Sequence, residues 1–268
     1  VAVAWGIGAD ICEIYSDVDG VYTTDPRIAP RARKLESVSY DEMLELSSAG
    51  SGVLQMRAVE FAKKWGVVIH SRSAFSDAPG TLVKEESPME QAVITGIAHD
   101  TSEMKVTIRH VPDTAGVAAR VFSALADNMV NMDMIIQNTS RDGATDISFT
   151  CPESDLSRAV KAIEGVLGEI GAEGWDVDED IAKVSLVGTG MKSSPGVSAL
   201  AFRTMSENDI NILAISTSPI RLSMVIEASE VQRAVQVLHT AFDLDSDSVF
   251  EETQLSAEEI AAKMKKGR

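Results

Sequence analysis

Hydrophobic and polar positions follow one pattern up to about residue 90 and another beyond it. In the first stretch, apolar runs predict strands at 10–16 and 67–72, and apolar side chains at helical spacing predict helices at 40–48 and 53–65. The order strand, loop, helix, helix, strand is typical of the C-terminal end of an α/β domain. A polar, proline-containing stretch at 84–90 predicts a linker.

The stretch beyond residue 90 contains one pattern twice. An alternating strand, at 105–110 and again at 183–188, precedes a Gly-Val pair that opens an amphipathic helix. The glycines of the two pairs, Gly116 and Gly196, are 80 residues apart. A period of this length indicates repeated domains rather than a solenoid built from repeats of roughly 20 to 50 residues.

The repeat includes the segments that follow each helix. Asn131 and Asn211 also differ by 80, whereas Asp146–Phe149 and Arg221–Met224 differ by 75. The second copy therefore lacks five residues, at a turn-rich hairpin tip where a fold tolerates a deletion. Two β-α-β-β-α units, each with one further strand, predict two ferredoxin-like domains. The candidates for the further edge strands are 94–98 and 248–251.

The composition of the 268-residue chain narrows the classes of function. Its formal net charge of −17 argues against nucleic-acid binding through phosphate contacts. No apolar run approaches the roughly 18 to 20 residues of a membrane span. Two cysteines and four scattered histidines give neither a disulfide framework nor a metal site. We therefore expect a cytoplasmic protein that handles small ligands, with no nucleic-acid, membrane or metal partner.

The densest polar chemistry lies in residues 17–27. Acids, hydroxyls, a tyrosine ring and a guanidinium follow the first predicted strand, where open α/β sheets bind ligands. These groups suit a nucleotide, although the same acids are also ordinary turn caps. An EF-hand is excluded because Gly20 stands at position four of the loop instead of six, and the chain contains no P-loop sequence.

Each copy of the repeat also presents a helix N-terminus. Residues 188–196 look like a phosphate cradle but lack the Gly-x-Gly-x-x-Gly spacing, so a strand-to-helix turn is the favoured interpretation. The free N–H groups after Gly116 and Gly196 can receive a carboxylate. We expect Asn131 and Asn211 to face these N-termini, either as ligand contacts or as ordinary turn residues.

Several segments of the chain resemble aspartate kinases. The most specific is Ser-Asp-Val-Asp-Gly-Val-Tyr-Thr-Thr-Asp-Pro-Arg at 16–27. The others are Val38–Met43, Phe75–Leu82, Asn131–Asp133, Gln137–Asn138, Lys192–Gly196 and Ile215–Ser218. The resemblance implies an α/β and α+β chain, in which the C-terminal part of an amino-acid kinase α/β sandwich is followed by two ferredoxin-like (βαββαβ) ACT domains. The implied boundaries are 1–88 for the kinase part, 89–180 and 181–250 for the ACT domains, and 251–268 for a terminal tail.

The resemblance also implies an activity and two kinds of site. Aspartate kinases transfer a phosphoryl group from ATP to L-aspartate, giving 4-phospho-L-aspartate, in the pathway to lysine, threonine and methionine. Lysine and/or threonine inhibit them at ACT domains, through which they also form homo-oligomers. ATP, with Mg²⁺ bound to the nucleotide, is implied at Ser16, Asp17, Tyr22, Thr23, Thr24, Asp25, Pro26 and Arg27. Effector binding is implied at Asp113, Gly116, Asn131, Met132, Asp133, Gln137, Asn211, Ile212, Thr217 and Ser218.

The chain departs from the family pattern at several positions. The family motifs Lys-Tyr-Gly-Gly and Gly-Gly-Ser-Asp, which hold phosphates and aspartate, are absent, so the resemblance implies a fragment without catalytic residues that is inactive alone. Gly52 stands where a lysine is usual, and Pro219 where a glutamate is usual. The alternative is a non-catalytic, amino-acid-sensing regulatory subunit that assembles with full-length catalytic chains. A stand-alone ACT protein is a weaker third interpretation.

Overall fold

The computed structural model describes residues 1–85, 93–138 and 143–245, which form two compact units. The first unit contains Val1–His99, Val184–Met224 and the described residues from Glu230 on. The second contains Asp100–Lys183 and Val225–Ser229. None of the helices in the described part of the chain has the length and hydropathy that a membrane span requires.

The N-terminal segment forms a four-stranded sheet with helices. Its elements are α1 (Ala2–Gly6), β1 (Cys12–Ser16), β2 (Ser37–Ser39), α2 (Tyr40–Ser48), α3 (Met56–Trp65), β3 (Ile69–Ser73) and β4 (Thr81–Lys84). The strand order is β1-β3-β4-β2, with β3 and β4 antiparallel and the two outer pairs parallel. Helix α2 starts at a capping box between Ser39 and Glu42, and α3 ends at Gly66, whose φ is 66°.

The first copy of the repeat forms its own sheet. Strand β5 (Gly96–Asp100) precedes it in the chain. The copy itself contains β6 (Glu103–Pro112), α4 (Val117–Asp127), β7 (Ile135–Gln137), β8 (Ala144–Pro152), α5 (Leu156–Ile170) and β9 (Gly174–Asp178). The strand order is β7-β8-β6-β9. Phe149, Ile108 and Ile147 are fully buried in the core, where they pack with residues of α4 and α5.

The sheet of the second copy is completed by β5, a strand that precedes the first copy in the sequence. Its elements are β10 (Ile181–Val187), α6 (Val197–Glu207), β11 (Ala214–Thr217), β12 (Arg221–Glu227) and α7 (Val231–Ala241), and the order is β11-β12-β10-β5. The predicted boundaries assign 94–98 to the first ACT domain, but this segment, as β5, pairs with β10 of the second copy. Strand β9 takes the corresponding edge of the first sheet.

Most predicted elements are present with small changes in length. The helix predicted at 40–48 is confirmed, whereas the one predicted from 53 begins at Met56. Strands β2, β4 and β9 were not predicted. The predicted edge strand at 248–251 and the tail from 251 lie outside the described residues, as does most of the linker at 84–90.

Gly188 shows why the 188–196 segment is a turn. Its φ is 176°, so its backbone is extended, and the segment continues through a short 3-10 turn to α6. A Cβ atom added at Gly188 would lie 2.3 Å from the carbonyl oxygen of Val93 and 2.7 Å from Cα of Ile94. The glycine is therefore required by the close approach of the chain that leads into β5, not by a phosphate.

We expect Gly188→Ala to lower the free energy of unfolding by about 1–3 kcal/mol, because the added methyl group overlaps fixed backbone atoms. The matched control is Gly165→Ala in the interior of α5, where an added Cβ meets no atom within 4 Å. That change should be neutral or stabilise the helix by roughly 0.5–1 kcal/mol. Urea titration of both variants measures the difference, and equal midpoints would contradict the packing argument.

Candidate functional site

The segment predicted to bind a nucleotide follows the carboxyl end of β1. Ser16 is the last residue of this strand, and Asp17 after it is exposed. Asp19 accepts a hydrogen bond of 2.5 Å from the hydroxyl of Ser76, which fixes this end of the segment to the loop before β4. The backbone therefore presents Ser16 and Asp17 at the edge of the sheet, as the sequence predicts.

The two threonines of this segment face the protein interior. Thr23 is fully buried, and its backbone N–H donates to the carbonyl oxygen of Arg33 at 2.8 Å. Its hydroxyl accepts from the backbone N–H of Arg33 at 2.9 Å. Thr24 is also buried, and its hydroxyl has no hydrogen-bond partner among the described residues. The side chain of Thr23 therefore holds the loop together, and no surface of it is open to a ligand.

Tyr22, Asp25 and Arg27 form the accessible part of the segment. Burial raises the pKa of the half-buried Tyr22, and the negative charge of Asp19 adds to this. Burial alone would raise the pKa of Asp25, but hydrogen bonds from Arg27 outweigh it and lower that pKa. The Arg27 guanidinium lies 2.8 Å from Asp25 and its side chain is 72% exposed. Pro26, between them, is partly buried.

A hydrogen-bonded chain of three side chains extends from Thr23 into the second copy. The Thr23 hydroxyl lies 2.8 Å from Nε2 of His239 in α7, and Nδ1 of His239 lies 2.9 Å from Oδ1 of Asp245. His239 is fully buried. Burial lowers the pKa of His239, more than Asp245 raises it, so the imidazole is neutral near pH 7.

A buried carboxylate makes a second connection inside the first unit. Glu42 of α2 accepts hydrogen bonds from the hydroxyl of Thr95 at 2.5 Å and from the backbone N–H and hydroxyl of Thr189 at 3.1 and 3.0 Å. Burial alone would raise the pKa of Glu42, but these bonds and those within the capping box lower it. The sequence shows the capping box but not the partners beyond it, which lie 53 and 147 residues away.

In the first copy, the predicted effector residues lie at opposite ends of the sheet. Pro112 pairs with Ala144, and the backbone N–H of Asp113 donates to the carbonyl of Gly143. Gln137 pairs with Ile147 near this end. Gly116 begins α4, whose 11 residues span about 16 Å at 1.5 Å per residue. This end therefore contains Asp113, Gly116 and Gln137.

The other end of the first sheet contains Asn131, Met132 and Asp133. The backbone N–H of Asn131 donates to Asp155 at 2.9 Å, and its side-chain amide lies 3.4 Å from the same oxygen. Asn131 follows the C-terminus of α4, so it does not face the helix N-terminus at Gly116 as the sequence suggested. An α-helix between two strands places the residues before it and the residues after it at opposite ends of the sheet.

The second copy repeats this division. Thr217 and Ser218 lie at the end of β11, where the backbone N–H of Ser218 donates to Arg221 at 2.7 Å. Asn211 and Ile212 lie at the other end, beside an open cavity of about 430 Å³. That cavity is lined by Phe202, Met205, Ser206, Asp209, Ile210, Asn211 and Ile212.

The helices α4 and α6 both begin at a glycine. Gly116 and Gly196 are the N-cap residues, with φ values of 96° and 106°, and as glycines they supply no side-chain cap. A positive φ favours glycine here, since other residues rarely adopt it. The binding of an anionic group at these two helix N-termini stays a prediction.

A buried ion cluster that the sequence did not reveal holds Asp133. Lys183 is 1% exposed, and its Nζ lies 2.5 Å from Oε1 of Glu103 and 2.6 Å from Oδ2 of Asp133. Burial alone would lower the pKa of Lys183, but its bonds to the two carboxylates raise it, so the ammonium stays charged. Oε2 of Glu103 is buried without a hydrogen-bond partner among the described residues.

Comparison with known proteins identifies the parts of the chain. Residues 1–71 match the amino acid kinase family, and residues 102–167 and 184–242 match the ACT domain. An aspartokinase of Mycolicibacterium smegmatis is 51% identical over 252 residues, which are 92% of this chain and 60% of that protein. The chain belongs to the aspartokinase family.

Two solved structures of aspartate kinases are similar to all or part of this chain. The aspartate kinase of Clostridium acetobutylicum is 26% identical, with a TM-score of 0.79. The match covers 90% of this chain and 56% of that protein chain. The regulatory subunit of aspartate kinase from Thermus thermophilus is 38% identical, with a TM-score of 0.54. It covers 56% of this chain, and the match includes 99% of that subunit.

The chain spans about 60% of the length of the curated aspartokinases it matches. Within residues 1–85, 93–138 and 143–245, no group of three or more histidine, cysteine, aspartate or glutamate side chains could hold a metal ion.

Removing the charge of Lys183 tests the buried ion cluster. We expect Lys183→Met to lower the free energy of unfolding by about 3–5 kcal/mol, because it leaves the buried carboxylate of Glu103 without a counter-charge. Lys183→Met combined with Glu103→Gln should recover part of that loss. The control is Lys63→Met, which removes an exposed pair with Asp41 and should cost at most about 1 kcal/mol. Equal losses in the two single variants, measured by urea unfolding, would contradict the expectation.

Proposed function

We propose that this chain supplies the ATP-side segment and the amino-acid-sensing ACT module of a cytoplasmic aspartate kinase. The whole enzyme transfers the γ-phosphoryl group of ATP to the β-carboxylate of L-aspartate. The observation that carries the proposal is that a kinase-family segment and two ACT copies occur in one chain, and that the kinase segment is hydrogen-bonded to the second copy through Thr23 and Glu42.

The nucleotide part of the proposal rests on the accessible groups of residues 16–27. Tyr22 offers a half-buried ring, Asp17 an exposed carboxylate and Arg27 an exposed guanidinium. These groups fit a base, ribose hydroxyls and a phosphate. Mg²⁺ arrives with the nucleotide, where it neutralises charge on the transferred phosphoryl group. Ser16, Asp25 and Pro26 shape this surface, while Thr23 and Thr24 support it from inside.

The effector part of the proposal rests on the helix N-termini that begin at a glycine. We assign the α-carboxylate of L-lysine or L-threonine to the N-terminus of α4 at Gly116, and its ammonium group to Asp113 and Gln137. Thr217 and Ser218 make the equivalent end of the second copy. Asn131, Met132, Asp133, Asn211 and Ile212 lie at the opposite ends of their sheets. We propose that a homo-oligomer brings these residues of a second chain to the ligand.

A regulatory subunit is the second candidate function. It is favoured by the match to 99% of the regulatory subunit of aspartate kinase from Thermus thermophilus. In that case the chain senses the amino acid and acts on a catalytic partner chain. Phosphorylation of aspartate in a mixture of this chain with a full-length aspartokinase separates the two: a regulatory subunit confers amino-acid sensitivity on the partner, whereas a kinase part alone leaves the partner's activity unchanged.

Amino-acid sensing predicts a rise in thermal stability on ligand addition. L-lysine or L-threonine at about 100 times its Kd should add roughly 2.7 kcal/mol to folding, seen as a higher unfolding midpoint. D-lysine and L-glutamate serve as ligand controls. Gln137→Ala should remove most of the shift, and Gln232→Ala, at an exposed position of α7, should keep it. No shift with either L-amino acid in the unsubstituted chain would end the sensing proposal.

Nucleotide binding predicts that a positive charge at Gly52 increases affinity for ADP. An added Cβ at Gly52 meets no atom within 4 Å, so the position accepts a side chain. Because the family usually has lysine there, Gly52→Lys should tighten ADP binding about tenfold, the effect of roughly 1.4 kcal/mol from a charge-assisted phosphate contact. Gly52→Gln is the matched uncharged control. Calorimetry that finds no ADP binding in either variant would contradict the nucleotide assignment of residues 16–27.

A further inference from the structure

We propose that His239 is a positioning residue for the nucleotide segment: acting through Thr23, it fixes the 21–33 loop to α7 of the second ACT copy and so couples that copy to the loop. The proposal rests on the nucleotide assignment above and adds to it a residue in a different domain. His239 lies 216 residues from Thr23 in the sequence.

The hydrogen-bonding capacity of Thr23 defines the direction of each bond. Its hydroxyl oxygen accepts from the backbone N–H of Arg33, so the single hydroxyl hydrogen is available to Nε2 of His239. The imidazole then carries its proton on Nδ1, which donates to Asp245. One tautomer of a neutral, buried His239 therefore satisfies the hydrogen bonds that join Thr23, His239 and Asp245.

The geometry excludes a nucleophilic role for Thr23. A threonine, a histidine and an aspartate in series resemble a hydrolase triad. Here, however, both Thr23 and His239 are fully buried, so no substrate reaches the hydroxyl. What the three side chains can do is determine where the loop lies.

Two further contacts hold the same loop to the same region. The side-chain amide of Gln236, one helical turn before His239, donates to the carbonyl of Ile28 at 2.7 Å. Ala32 forms an antiparallel bridge with Asp245. Together with the Thr23 bond, these contacts fix the beginning, the middle and the end of the loop. A movement of α7 is therefore transmitted to Tyr22 and the residues after it.

Two substitutions separate the two bonds of His239. The amide of a glutamine reaches the place of Nε2, so His239→Gln can keep the bond to Thr23. The amide of an asparagine reaches the place of Nδ1, so His239→Asn can keep the bond to Asp245. Hydrogen exchange of the full chain, followed by mass spectrometry, reports the protection of the amides in residues 21–33. Peptides from α3 and β3, which lie in the same unit as His239, show whether that unit is folded in each variant.

We expect His239→Asn to exchange the 21–33 amides at least about tenfold faster than the unsubstituted chain, and His239→Gln to stay within about threefold. Protection that is unchanged in both variants, or lost only in His239→Gln, would overturn the proposal. Loss of protection in both variants would also overturn the proposal, because the bond to Thr23 that His239→Gln keeps would then not hold the loop.

A second measurement distinguishes this proposal from the nucleotide assignment. ADP binding to the same variants should weaken in His239→Asn and persist in His239→Gln. If the unsubstituted chain binds no ADP but His239→Asn still frees the loop, the nucleotide assignment fails and the positioning role stands. If ADP binds equally to all three proteins, the positioning role fails and the nucleotide assignment stands.

Discussion

Strand β5 is the element on which the first unit depends, because its few residues bond to three other parts of the chain. The backbone N–H of Thr95, just before the strand, donates to Val187 at the end of β10, and its hydroxyl donates to Glu42 of α2. The backbone N–H of Ile97 donates to the carbonyl of Thr23 at 2.7 Å. The close approach leaves no room for a side chain at Gly96, because an added Cβ there would lie 2.9 Å from the carbonyl oxygen of Thr23.

The pairing of β5 with the second copy explains why a kinase-family segment and an ACT copy fold as one unit. A ferredoxin-like sheet needs four strands, and the second copy takes its fourth from the chain segment that leaves the kinase part. In the sequence, the first copy therefore lies between β5 and β10. Strand β9 forms the edge strand of its sheet. Arg221 of β12 adds an ion pair with Glu45 of α2, at 3.1 Å.

Sequence periodicity predicted the elements with strong local signals and missed those without them. The 80-residue offset identified both copies, and the helical spacing of apolar side chains at 40–48 placed α2 correctly. Strands β2 and β4, of three and four residues, are too short to show alternation. Strand β9 does alternate, with Asp176 and Asp178 following Trp175 and Val177, so its signal was present in the sequence. The pairing of β5 was not predictable, since adjacency in sequence favours the nearer copy.

The site residues were predictable by type but not by environment. The motif at 16–27 places its residues at a strand end correctly, yet the burial of Thr23 depends on His239 and the ion pair of Asp133 on Lys183, through contacts 216 and 50 residues apart. Such distant partners leave no local pattern. Because the polar atoms of Thr23 are bonded to β5, α7 and Arg33, the loop needs the second copy for its conformation. A polypeptide ending at the linker would therefore keep the 16–27 motif but lose the contacts that give it this shape.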